Sequence, residues 1–376
     1  MKRPRNITFF ERLNEDPLND YIAKAQADGK RAIGYTCSYI PEPLLSVDGL
    51  VPVRMRAPGV AGTPMADTYM SSVICAYTRS LLEFALEGRF NTLDGWVFSA
   101  SCDHLRRLYD NLAYLEAPSF NYIIDLPHKA TDSAINWFEE ELRLLAMAIS
   151  ETFQVDIGEQ AVQRAIEKHN DFVDILSRIG MTRCREQPAI SGRDFHTLMI
   201  AASCSPKEMI IEKLRELKSD LEAAEGINDY RARVMIVGSQ LDDSSYIGVI
   251  ESVGALVVAD RFCLGSIPGL KPIELKGSPL HALASHYLKE TACPRMMGAF
   301  DDRVAKIKEA AAQFKVEGII VETMKFCDCW GVEAVPLAEE LRQADMPVLR
   351  LEKEYGLSGE GQLRTRVQAF LESMGK

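Results

Sequence analysis

The sequence predicts an α/β protein: two doubly wound parallel-sheet domains, flavodoxin- or Rossmann-like, joined by a helical middle segment. Three observations carry that expectation. Short runs rich in Val and Ile recur in both halves and end in small or polar residues, the signature of strands. Helical patterns fill the gaps between them, and strands alternating with helices argue for a parallel sheet covered on both faces. Between the halves lies a long stretch with helical patterns only.

In the first half the strands read as Arg31–Cys37, Leu50–Met55, Gly95–Ala100 and Tyr122–Leu126, with helices at Met70–Leu86 and His104–Leu115. In the middle, Thr131 or Asp132 caps a helix over Ala134–Phe153, because such side chains accept the free N–H groups of a first turn. Ile157–Ile179 follows with apolar residues near i, i+3, i+4 spacing and Gly180 as a stop. Then come Phe195–Ala202 and a charged helix, Lys207–Glu225. The second half repeats the alternation, with strands at Arg233–Val237, Ala255–Ala259, Gly318–Glu322 and Val348–Leu351. Its helices are expected at Tyr246–Val253, His281–Leu288, Arg303–Phe314, Glu333–Gln343 and Gln362–Glu372. The domain boundary falls near 185–205, giving domains 1–190 and 191–376.

Composition bounds the function. The 376 residues suggest two domains at roughly 100–200 residues each. With 54 acidic against 43 basic residues the formal charge is -11, a balance that disfavours nucleic acid. No run of about 18 apolar residues exists to span a membrane, and no signal-peptide core follows the start. A cytoplasmic protein is expected. Without a secretory signal the nine cysteines read as thiols or metal ligands, not disulfides.

Ligands of open parallel sheets bind beyond the carboxyl ends of the strands, where strand order reverses. Cys37, Cys102, Cys263, Cys327 and Cys329 fall at such ends, and Cys75 lies near one. Thiolate sulfur is the preferred ligand of iron–sulfur clusters. The spacing from Cys75 to Cys102 to Cys327 is long, so a cluster would be assembled across both domains. Structural zinc favours local Cys-x-x-Cys pairs, and the sequence has none. A catalytic thiol would need a base such as His104 beside Cys102, but neighbours in a strand-to-helix turn rarely face each other. No P-loop or G-x-G-x-x-G motif follows a strand. The turn Val237–Ser245 reads as an anion cradle or, more simply, as a capped strand-to-helix turn. Arg54, Arg56, Arg106 and Arg107 near strand ends suit the phosphates of a carrier such as coenzyme A; ordinary surface ion pairs are the alternative.

The motifs together resemble the 2-hydroxyacyl-CoA dehydratase and benzoyl-CoA reductase family, in its cluster-binding catalytic subunits. The similar segments are IGYTCSYIPE (Ile33–Glu42), SSVICAYTRS (Ser71–Ser80), DGWVF with SCDH (Asp94–Phe98, Ser101–His104), VETMKFCD (Val321–Asp328), LEKEY (Leu351–Tyr355) and GQLRTRVQAF (Gly361–Phe370). The resemblance implies that Cys75, Cys102 and Cys327 each give a thiolate to one [4Fe–4S] cluster, leaving one iron for another ligand. It implies a paired subunit, paralogous or identical, and an ATP-hydrolysing iron–sulfur activator delivering single electrons at low potential. The substrate would be an acyl-CoA thioester reduced to a ketyl radical anion, followed by loss of a 2-hydroxyl or reduction of an aromatic ring. Glu42 is a candidate for moving protons, or else a carboxylate at a helix N-terminus; Ser38 is a candidate hydrogen-bond donor to an intermediate. Cys37, Cys263 and Cys329 stay open as further ligands, as in relatives with a double-cubane cluster. A non-catalytic electron-transfer or scaffold subunit, and a metal-free binding protein for a small anion, are the competing functions.

Overall fold

The computed structural model describes the whole chain except residues 1, 2, 5, 116, 117, 267–269 and 292. β1 (Arg31–Tyr35), β2 (Leu50–Arg54), β3 (Gly95–Ser99) and β4 (Phe120–Ile124) form one parallel sheet in the order β2-β1-β3-β4. β5 (Ala232–Gly238), β6 (Ala255–Arg261), β7 (Gly318–Met324) and β8 (Val348–Lys353) form a second in the order β6-β5-β7-β8, also parallel. The two sheets share one topology. In each, the order reverses between the first and third strands, and the loops leaving those strands part to open a crevice.

Thirteen helices surround the sheets among the described residues. They are α1 (Ile7–Glu15), α2 (Asp20–Ala27), α3 (Ala76–Leu86), α4 (Asp103–Leu115), α5 (Asp132–Phe153), α6 (Glu159–Met181) and α7 (Gly192–Ser203). Then follow α8 (Lys207–Glu222), α9 (Ser244–Glu251), α10 (Pro279–Glu290), α11 (Phe300–Gln313), α12 (Asp328–Gln343) and α13 (Glu360–Ser373). Side chains on a strand alternate between faces. On β1, Ile33 and Tyr35 therefore join a core with α5, while Ala32 joins the core under α3 and α4 on the other face. On β5, Val234 and Ile236 face α9 and α13, and Met235 and Val237 face α11 and α12.

The α/β expectation with two doubly wound sheets holds, and all eight strands overlap the Val/Ile runs, with β4 starting and ending two residues earlier than expected. α12 begins at Asp328 rather than at Glu333. Four further details differ. The helix expected from Met70 begins at Ala76, because residues 70–75 form turns that end on Cys75 as N-cap. Gly180 does not stop α6. A Cβ there would stand 3.0 Å from the Phe195 ring, so the glycine admits close packing of α7. α1 and α2 have no counterpart among the expected elements; Ile7, Phe10 and Leu13 of α1 pack with α6, α7 and α8 in one cluster. Finally, α10 belongs to the second half by sequence, yet Ala282, Leu283 and Tyr287 pack into the first sheet's core against α5. The second half thus reaches back and closes the first.

Candidate metal centre

Three helices begin at three cysteines. Cys75 is the N-cap of α3, Cys327 is the N-cap of α12, and Cys102 immediately precedes α4. The amides of a first helical turn lack intrahelical partners and carry the positive end of the helix dipole, a setting that favours a thiolate. Burial acts the other way and dominates, pushing all three thiols up. Opposing it, the backbone amide three residues on favours each thiolate: Thr78 for Cys75, Leu105 for Cys102 and Trp330 for Cys327. One local device therefore recurs at all three positions, twice on the first unit and once on the second.

These cysteines meet at one cavity of about 110 Å3, where the crevices of the two sheets face each other. Cys37, Cys263, Cys293 and Cys329 line it as well, so seven of the nine cysteines share its wall. Tyr77, Leu105, Phe262, Met324 and Trp330 supply apolar surface between them. Burial pushes Cys263 up to about 12. Cys293 is raised by its interaction with Cys329 and by burial, and Cys329 is lowered by that same interaction. Among the described residues no three of His, Cys, Asp or Glu converge on a single-ion position. The thiols face one another across a space instead.

Buried polar groups at this cavity are under-satisfied. Arg54 is 3% exposed and has no carboxylate within salt-bridge distance among the described residues. Its Nη1 donates to Ser38 Oγ at 3.3 Å and its Nη2 to Gln240 Oε1 at 3.2 Å, but its Nε has no partner. Thr36 Oγ1 and Gln240 Nε2, on the same wall, also lack partners. Arg295, off the cavity wall, is also buried with no carboxylate partner among the described residues, but its nitrogens are satisfied by the carbonyls of Ser101 (2.8 Å), Pro127 (2.6 Å) and Leu126 (3.2 Å). A buried cation without a counter-charge is costly. Arg54 on the wall of seven thiols, with Arg295 near enough to Cys329 to lower it, suits an anionic, sulfur-bound group. Soft thiolate donors, free cationic and amide donors and dry walls fit an iron–sulfur cluster.

The other residues singled out in the sequence separate. Ser38 and Arg54 stand on the wall between this cavity and a neighbouring chamber, with Ser38 donating to the Cys263 carbonyl. Glu42 lies in that chamber, 2.5 Å from Lys207 Nζ, which also donates to His169 Nδ1 at 2.9 Å. Burial, aided by Lys207, holds His169 well below its ordinary range. Arg56 is fully enclosed; its Nη2 donates to the carbonyls of Asn14 and Asp16, a packing position closed to a carrier's phosphates. Arg106 and Arg107 are exposed on α4, paired with Asp125 at 3.8 Å and Asp110 at 2.9 Å. The Val237–Ser245 turn is a capped turn, with Asp243 Oδ1 accepting from Ser245 N. Cys293, Gln240 and Arg295 were not singled out. Cys293 follows a helix rather than a strand, so a strand-end search passes over it.

Glu322, at the crevice end of β7, is wholly buried beside Ser239. Burial pushes its carboxyl up to about 7, against Lys353 and the Ser239 hydroxyl, which favour the charged form. The raised value means that the folded state prefers the proton. This contribution to stability is complete below the ordinary carboxyl range and is lost as pH rises through about 7. Glu322→Gln is expected to raise the stability of the metal-free protein at pH 8 by on the order of 2 kcal/mol and to leave it unchanged near pH 4. Urea unfolding at both pH values checks this; no gain at pH 8 contradicts it.

The fold and cavity define a class: a two-unit parallel α/β protein whose facing crevices enclose a nest of cysteines. The chain belongs to the 2-hydroxyglutaryl-CoA dehydratase, D-component family, which residues 37–374 match. It is 23% identical over 371 residues to the (R)-phenyllactyl-CoA dehydratase beta subunit of Clostridium sporogenes, covering 97% of each chain. It is 24% identical to a benzoyl-CoA reductase subunit of Thauera aromatica, covering 98% of this chain and 97% of that one. The (R)-2-hydroxyglutaryl-CoA dehydratase subunit beta of Acidaminococcus fermentans is 24% identical, with 98% of each covered. The relatives are thus dehydratase or reductase subunits, in agreement with the resemblance that the motifs carried. No helix among the described residues is long and apolar enough to cross a membrane.

Proposed function

We propose that this chain is the iron–sulfur subunit of an acyl-CoA-processing enzyme of the 2-hydroxyacyl-CoA dehydratase or benzoyl-CoA reductase type, holding a [4Fe–4S] cluster on Cys75, Cys102 and Cys327. One observation carries the reading: three cysteines remote in sequence, each at the start of a helix, line one cavity between the two sheets. When bound, the cluster would supply single low-potential electrons to an acyl-CoA thioester. The chain's own residues do the rest. Arg54 and Arg295 offset negative charge, the helix N-termini favour the thiolates, and the apolar walls exclude water. Ser38 offers a hydroxyl on the wall shared with the adjoining chamber, and Glu42, paired with Lys207, is placed to move protons there. Arg106 and Arg107, exposed at the start of α4, are the cations open to coenzyme A phosphates.

Relatives named as subunits of dehydratases and of a reductase support a multi-subunit enzyme with a related partner. An ATP-hydrolysing iron–sulfur activator and a cytoplasmic location belong to the same proposal. Anaerobic co-expression with the partner and activator, followed by assay on 2-hydroxyacyl-CoA and benzoyl-CoA thioesters, tests it. ATP-dependent turnover of one substrate class is expected; no turnover, with a fully loaded cluster and reduced activator, sinks the enzymatic reading. A cluster spectrum indifferent to acyl-CoA would assign the chain to electron relay. The four further cysteines on the same wall favour a second reading, a larger cluster with some of them as ligands. Iron analysis separates the two: about four irons per chain against about eight.

A further inference from the structure

We infer that His104 is the positioning residue of the centre, tying the segments that carry Cys75, Cys102 and Cys327 to one another. It sits in the first turn of α4, two residues after Cys102, and is buried. Its Nδ1 lies 3.1 Å from the backbone N of Cys75. Its Nε2 lies 3.1 Å from Asp328 Oδ2, on the residue after Cys327. A backbone N–H can only donate, so Nδ1 accepts and the ring proton sits on Nε2. From there it faces the Asp328 carboxylate at ion-pair distance. One imidazole, carried by the Cys102 turn, thus grips the amide of a second cysteine and the neighbour of a third, across the gap between the two units.

A histidine placed only to fill space has no need of these partners. His104 is the sole hydrogen-bond partner of the Cys75 amide among the described residues. Without it, that buried N–H is left unsatisfied next to the thiol. The Asp328 contact joins a first-unit cysteine turn directly to the Cys327 turn of the second unit. Groups that orient metal ligands in this way commonly change metal affinity by 10- to 100-fold when removed. The inference rests on the proposed cluster only in taking the three cysteines as its ligands.

The test compares wild type with His104→Ala, His104→Asn, His104→Gln and Asp328→Ala, each reconstituted anaerobically with iron and sulfide. Iron loss to a chelator and electron paramagnetic resonance of the reduced protein are the readouts. Asn places an acceptor near the site of Nδ1 and Gln a donor near that of Nε2, so each keeps one of the two contacts. His104→Ala is expected to lose iron about 10- to 100-fold faster, with an altered spectrum. The Asn and Gln variants should fall between it and wild type, and Asp328→Ala should match His104→Asn. Wild-type iron retention and spectrum in His104→Ala overturn the inference even if its melting temperature falls, since a packing role alone would do that. In the metal-free protein, nitrogen-15 NMR should find the His104 proton on Nε2; a proton on Nδ1 overturns the inference whatever the cluster does. A wild type that retains no iron overturns the cluster and this inference together, whereas iron-loaded wild type with an unaffected His104→Ala overturns this inference alone.

Discussion

Changing any one of Cys75, Cys102 or Cys327 to Ser is expected to drop the iron content from about four per chain to below about one. Serine keeps the size and the helix-start position but offers a harder oxygen that is protonated near neutrality, a poor ligand for iron–sulfur iron. The fold should survive each change. The three residues end turns and begin helices, and Ser is itself a good N-cap. Far-ultraviolet circular dichroism of the metal-free variants should match wild type while iron and sulfide analysis collapses. Cys184 and Cys204 lie away from the cavity, and Ser at either position is expected to leave the iron content unchanged. Retention of full iron by the Cys102 variant would show that the strand-end turn of β3 is not part of the centre.

Arg295→Ala is expected to have the largest effect on the protein without metal. Three carbonyls, on Ser101, Leu126 and Pro127, accept from this one buried guanidinium. It comes from the segment after α10 and holds both the Cys102 turn and the exit of β4, with Tyr39 beneath it at 5.5 Å. Removing it leaves buried acceptors unpaired and frees the Cys102 turn from the second unit. Hydrogen bonds to charged groups contribute about 1.5–3 kcal/mol each and do not simply add, so a loss of about 3 kcal/mol is expected in denaturant unfolding. Lys at this position keeps the charge but cannot span three carbonyls, and should recover only part of the loss. A loss under about 0.5 kcal/mol would contradict the clasp.

The parallel sheets were legible because buried strands such as Val234–Val237 and Gly318–Val321 are continuous apolar runs with few alternatives. Strand-end reasoning then reached Cys102 and Cys327, which local chain direction alone places at a crevice. Cys75 needed the resemblance of its segment, since it starts a helix after a six-residue turn that periodicity does not resolve. Cys293 and Arg295 were invisible for a tertiary reason: α10 crosses back to pack on α5, and nothing in its sequence states which sheet it will cover. Arg56 misled because a guanidinium just past a strand reads the same whether it faces solvent or, as here, the carbonyls of Asn14 and Asp16. Glu42 and Ser38 were candidates without any sign of the chamber they share, and the Lys207 partner of Glu42 comes from the helical middle and could be found only in the folded chain.

The most direct test of the central claim is iron and acid-labile sulfide analysis of the protein purified without oxygen, read together with electron paramagnetic resonance of the reduced sample. A cluster held by Cys75, Cys102 and Cys327 predicts about four irons and four sulfides per chain and a paramagnetic signal that disappears in the Cys→Ser variants. A wild-type chain with all three cysteines intact that takes up neither iron nor sulfide on anaerobic reconstitution would contradict it.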